Sequence, residues 1–203
     1  MSRLPALLLA AAVLTGCGSS AAVQAPTTTA TQRFAGGALT PPRRAPAIAL
    51  RDAYGAPVTL AGLRGKHVLV TFLYTHCPDV CPLIAQNLNA ALRALPKAQR
   101  AQTRVLAVSV DPKGDTPAAV RAYAKRMHLA PEFRYLVGTK AQLRTVWAAW
   151  HVLAVQERPE LVDHVAYTAL IDRSGHERVL YGAQVQAHQV LHDLRLLSRA
   201  AKA

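Results

Sequence analysis

Aromatic residues make up only 5% of the 203-residue chain, so its core cannot be built on stacked rings. Alanine and branched aliphatic side chains must supply it, and they dominate a hydrophobic fraction of 51%, enough for one ordinary globular domain with appendages. Acidic residues are also scarce, 11 against 24 Lys and Arg, for a formal charge of +13. The cations are spread along the whole chain and form no basic run interleaved with aromatics, which argues against nucleic-acid binding. Attraction to anionic lipid or to an acidic partner is the better use of this charge. After the first residues no apolar stretch is long enough to span a bilayer. Cysteine is scarce too, with three residues: Cys17, Cys77 and Cys81.

The first cysteine sits in an export context. Arg3 gives a positive start, Leu4 to Leu14 is an apolar run too short to span, and Leu14-Thr15-Gly16 leads directly into Cys17. This resembles the lipobox of bacterial lipoproteins, which implies removal of residues 1–16 as a signal peptide and lipidation of Cys17. The alternative is an ordinary signal peptide with an incidental cysteine. Acyl chains on Cys17 would hold the protein at a bacterial membrane, with its domain in the periplasm or another extracytoplasmic space. Residues 17–44, rich in Ala, Thr, Ser, Gly and Pro without periodic apolar positions, read as the lipidated cysteine and a disordered tether. Outside the cytoplasm disulfides persist. With Cys17 used as an anchor, Cys77 and Cys81 have only each other within the chain.

Residues 45–203 read as the folded domain. Residues 48–52 and 57–60 flank turn residues and predict a small β-hairpin. Val68 to Tyr74 predicts a buried strand that runs into Thr75-His76-Cys77-Pro78-Asp79-Val80-Cys81-Pro82. Leu83 to Leu95 carries a helical apolar stripe ending at Pro96. Val105 to Val110 predicts a central strand, and Asp115-Thr116-Pro117 a helix start. Strands near 133–137, 165–172 and 178–181 alternate with helices near 140–149 and 185–199. The alternation predicts an α/β fold with a mixed central sheet and helices on both faces.

These features together resemble a known family. The hairpin, the Gly65-Lys66 lead-in, the strand and the cysteine turn resemble the thioredoxin-like redoxins. Four segments are similar to the Sco/SenC proteins: Thr75 to Pro82, Val108-Ser109-Val110-Asp111-Pro112 with Asp115-Thr116, Asp163-His164, and Tyr167 to Asp172. The resemblance implies a monomeric thioredoxin-like domain binding one copper ion, Cu(I) or Cu(II), through Cys77, Cys81 and His164. It also implies a role as a copper metallochaperone for the binuclear copper site of cytochrome c oxidase subunit II. Other copper chaperones and thiol-disulfide reductants are the further partners it implies.

The residue chemistry is consistent with this. Thiolate sulfur is a soft donor that selects Cu(I), and imidazole suits either oxidation state. A helix starting near Pro82 would favour negative charge on the cysteines at its N-terminus. Sulfurs four positions apart are also within reach of one disulfide, which would mask them. The same pair supports a second reading, a membrane-anchored extracytoplasmic thiol-disulfide oxidoreductase with Cys77 and Cys81 as its redox-active residues. Against simple thioredoxin chemistry stand the Cys-x-x-x-Cys spacing and Ala166, which falls where redoxins usually carry a cis-proline. A structural staple is the bland reading, but a domain with its own core needs none across a three-residue gap. His76 should point away from the pair, and His188 and His192 read as a surface pair. Asp79 and Asp111 suit partner docking or orientation of the cysteine loop, and Asp115 and Thr116 read simply as helix-start residues.

Overall fold

The structure, a computed structural model, describes residues 33–152, 155–158, 161–163 and 166–200, all within the unit spanning residues 32–203. The elements in chain order are β1 (Gly37–Arg44), β2 (Ala49–Asp52), β3 (Pro57–Thr59), β4 (His67–Leu73), α1 (Val80–Ala94), α2 (Lys97–Ala101) and β5 (Thr103–Ser109). They continue with α3 (Pro117–Arg126), β6 (Phe133–Val137), α4 (Lys140–Ala149), β7 (Val155–Arg158), β8 (Leu161–Asp163), β9 (Tyr167–Ile171), β10 (His176–Gly182) and α5 (Ala187–Ala200). Eight strands form one sheet in the order β1-β10-β9-β4-β5-β6-β2-β3, and β7 pairs separately with β8.

The centre of the sheet follows from its sequence. Every residue of β4 is buried, the pattern of a strand covered on both faces. β4 pairs in parallel with β5, and β5 with β6, while β9 runs antiparallel along β4. Thr71, Ala107, Tyr135, Thr168 and Tyr181 are cross-strand partners and share one face. On that face Tyr123 of α3 packs edge-on against Tyr135, and Asp193 of α5 accepts from the Tyr181 hydroxyl. α1 packs on α5. On the opposite face the Trp150 ring, just after α4, lies 5.9 Å from that of Phe72. Helices therefore cover both faces of a mixed sheet, the fold class expected from the alternation.

The expected hairpin is present as β2 and β3, with Gly55 at a positive φ in its turn, and β2 joins it to the far edge of the main sheet beside β6. The expected tether ends earlier than residue 44. Residues 37–44 form β1, an edge strand antiparallel to β10, with register broken between Ala38 and Arg43. Prolines at 41 and 42 suit an edge, where outward N–H groups need no partner. α2 and the β7–β8 pair were not expected either. Cys17 and the expected signal segment lie outside the described residues, and no helix among the described residues is long and apolar enough to cross a membrane.

Candidate metal centre

β4 delivers the chain to a tight turn in which the Cys77 N–H reaches the Tyr74 carbonyl at 3.4 Å. α1 begins at Val80 rather than near Pro82, so Cys81 lies in its first turn. Asp79 stands at the N-cap but makes no side-chain cap. The free N–H groups of the helix start are instead turned to sulfur, and the Cys81 N–H donates to Cys77 Sγ at 3.4 Å. Cys77 is 9% exposed and Cys81 fully buried; both are free thiols.

The two sulfurs are unequal. Cys77 is lowered from the usual 9 to about 5, chiefly because the Cys81 thiol donates to it. Backbone N–H groups of Asp79 and Cys81 and the Tyr74 side chain add to this, against the opposing effect of burial. Cys81 is pushed up, first by donating that hydrogen bond, then by burial and by the charge on Cys77. The pair is thus one thiolate beside one thiol, with the thiolate at the rim.

Beneath the turn lies a buried carboxylate, Asp115, that does more than start a helix. Asp115 is 3% exposed and accepts from the Thr75 N–H (2.8 Å), the Thr75 hydroxyl (2.7 Å), the Ser109 hydroxyl (2.6 Å) and the Tyr135 hydroxyl (3.1 Å). Burial raises its pKa despite these four donors. Asp115 therefore pins the turn after β4 to the end of β5 and the middle of β6, just before the cysteines. A cluster of polar residues, Ser109 to Asp115, directly after an apolar strand was the available signal. Thr116 behaves as expected, capping α3 by accepting from Ala119 N–H at 3.2 Å.

Asp111 is also buried, and its carboxylate turns back on its own loop to accept from Lys113 N–H (3.2 Å) and Gly114 N–H (3.0 Å). It orients the loop beside the cysteine turn. A Cβ on Gly114 would lie 2.2 Å from Asp111 Oδ2 and 3.1 Å from His76 Nδ1, so this glycine permits the two loops to touch. His76 is exposed, with Nδ1 3.1 Å from the Thr75 hydroxyl. Asp79 is exposed. His188 and His192 lie on the exposed side of α5, and His192 Nδ1 pairs with Asp193 at 2.8 Å. Among the described residues, no three His, Cys, Asp or Glu side chains are grouped to hold a metal.

His164 lies outside the described residues. β9 starts at Tyr167, whose ring lies 5.6 Å from Phe72 near the end of β4 and whose hydroxyl donates to the Trp150 carbonyl at 2.6 Å. Ala166 packs partly buried against the core.

Two unequal cysteines at the first turn of the helix that follows the central strand define a thioredoxin-like domain with a dithiol suited to redox or soft-metal chemistry. The profile of the SCO1/SenC family matches residues 40–199, and the chain belongs to that family. It is 34% identical to the apo Sco1 protein of Thermus thermophilus, covering 83% of this chain and 99% of that one at a TM-score of 0.71. It is 30% identical to copper-bound ScoI of Bradyrhizobium japonicum, covering 76% of this chain and 99% of that one at a TM-score of 0.67. A SCO2-like protein of Rickettsia typhi is 28% identical over 66% of this chain and 67% of its own length. The chain spans about 64% and 57% of the next two curated relatives.

Proposed function

We propose that this protein is a copper metallochaperone that carries one copper ion on Cys77, Cys81 and His164 and passes it to the binuclear copper site of cytochrome c oxidase subunit II. Sco proteins are linked to copper and to assembly of that oxidase. The observation that carries the reading is the donor pair itself. A thiolate at Cys77 and a second sulfur in hydrogen-bond contact, at a helix N-terminus, form a soft site already half deprotonated.

Chain position supports His164 as the third donor. His164 precedes Tyr167 by three residues in the sequence, and Tyr167 opens β9 beside the end of β4 that leads to the cysteine turn. Lipidation of Cys17 would keep the monomeric domain at an extracytoplasmic membrane surface, where other copper chaperones and thiol-disulfide reductants would load and reduce it. Titration of the fully reduced chain with Cu(I) and with Cu(II) tests the reading. One tight equivalent in the dithiol form and none in the disulfide form supports it, and equal binding in both forms contradicts it.

The asymmetry of the pair favours a second reading, thiol-disulfide exchange on exported proteins. A thiolate at the rim attacks a substrate disulfide, and the buried Cys81 thiol then resolves the mixed disulfide. His164→Ala separates the two. A reductase keeps its activity in that variant, whereas a copper carrier loses affinity while its cysteines still cycle.

A further inference from the structure

At the other end of β4 from the cysteines is a second polar concavity. Six residue steps of strand separate His67 from Leu73, roughly 20 Å. A cavity of about 400 Å³ there is lined by His67, Gln99, Arg173, Arg195, Ser198 and Arg199. It lies where the start of β4, the helix α2, the turn between β9 and β10 and the last turns of α5 meet.

Three observations say what it is built for. First, the lining holds three guanidinium groups and no carboxylate. Arg195 and Arg199 form no ion pair among the described residues, and Arg173 donates Nε to the Gly65 carbonyl at 2.7 Å. The nearby carboxylate of Asp172 is already engaged by Arg178 at 3.1 Å and by Ser174. The C-terminus of α5 contributes about half a negative charge, well short of the three cations.

Second, His67 is 4% exposed and its Nδ1 has no hydrogen-bond partner; the Gln99 Oε1 is likewise buried and unpartnered. An unmet buried polar atom costs about 1–3 kcal/mol, and native proteins rarely carry one without a ligand, ion or water to satisfy it. Third, burial, then the charge of Arg173, lowers His67 to about 4 against the opposing pull of Asp172, so the ring is neutral. A neutral imidazole carries one N–H and can sit beside an anion without adding to the charge of the three guanidiniums.

We propose that this cavity is an anion site for a phosphate-bearing ligand, held by Arg173, Arg195 and Arg199 against the His67 imidazole in its wall. Three guanidiniums match the several oxygens of a phosphate, whereas a carboxylate occupies one fork. The volume exceeds what a bare phosphate needs and falls in the range of small-ligand sites, about 300–1,000 Å³. The volume leaves room for an organic group on the phosphate. A soluble phosphomonoester and the phosphodiester headgroup of an anionic lipid share this chemistry.

The test follows the His67 imidazole by NMR in the full-length chain, in non-ionic detergent. The probes are inorganic phosphate, glycerol 3-phosphate, and glycerophosphoglycerol, a deacylated phospholipid headgroup. At least one should shift His67 saturably, and Arg195→Gln with Arg199→Gln should weaken that probe at least about tenfold. Both arginines are exposed, and copper binding at the cysteines should be unchanged. Preference for the monoester assigns a soluble ligand, preference for the diester assigns lipid, and equal binding assigns the phosphate alone as the recognised group. No saturable shift with any probe overturns the site, as does undiminished binding in the double variant.

Discussion

Cys77 and Cys81 differ in what each can do at neutral pH. With Cys77 at about 5 and Cys81 raised, only Cys77 is a nucleophile near pH 7. Alkylation followed by mass spectrometry should therefore modify Cys77 first, at a rate that is flat above about pH 6 and falls below pH 5; preferential labelling of Cys81 would contradict the assignment. The same asymmetry fixes the protons released on copper binding. At pH 7 Cys77 has already lost its proton and Cys81 has not, so Cu(I) binding should release about one thiol proton rather than two. Calorimetry in buffers of different ionisation enthalpy reads this number directly. Linkage has a definite sign here. Because the native value of Cys77 lies below that of the unfolded chain, its contribution to stability is complete above pH 9 and is lost as pH falls through about 5.

Asp115 has the opposite sign. Its pKa is raised, so its contribution to stability is greatest below the unfolded carboxylate value and is lost as pH rises through the folded one. The hydrogen bonds still matter, since Asp115→Ala would strand donors from Thr75, Ser109 and Tyr135. Urea unfolding should show a loss of roughly 3 kcal/mol, and a neutral result would remove Asp115 from its role under the cysteine turn.

At the scale of elements, the docking of β1 is the least expected feature and the most testable. Arg43 pairs with Glu177, whose side chain is 1% exposed while that of Arg43 is 56% exposed. Arg43→Ala would leave a buried carboxylate without its cation. The cost should be about 2 kcal/mol, below that of breaking a fully buried pair, and thermal unfolding would measure it. Gly36 precedes the strand, and a Cβ there would lie 2.5 Å from Val179 Cγ1 and 2.6 Å from Tyr181 Cε1, so Gly36→Ala should also loosen this edge.

The elements differ in how well their sequence announces them. β4 and β5 are legible because strands buried on both faces are continuous apolar runs, and α4 because Thr139 and Gln142 form a reciprocal capping box. β1 is not, because Thr40-Pro41-Pro42-Arg43-Arg44 is polar and breaks local rules that only its pairing with β10 overrides. The start of α1 is harder to read, because Pro82 suits the first turn of a helix and points to a start there. In the structure Val80 and Cys81 precede it, and this shift gives Cys81 its helical N–H and its contact with Cys77.

For the whole molecule, the cysteine pair and its place at the end of the central strand were legible, since both are local in sequence. The carboxylate beneath them was not, because its partners come from two strands and the turn after a third, and only folding joins Thr75, Ser109 and Tyr135 to Asp115. The wide excess of positive charge likewise gave no hint that three arginines converge on His67. The domain thus holds two polar sites at opposite ends of β4, one built on sulfur and one on guanidinium. The central claim is that the sulfur site takes copper with the help of His164. Competition titration of the reduced wild-type chain and of His164→Ala with Cu(I) tests it most directly. The account predicts one tight equivalent in the wild type and an affinity at least about tenfold weaker in the variant, as loss of one good ligand should bring. An unchanged affinity in His164→Ala would contradict it.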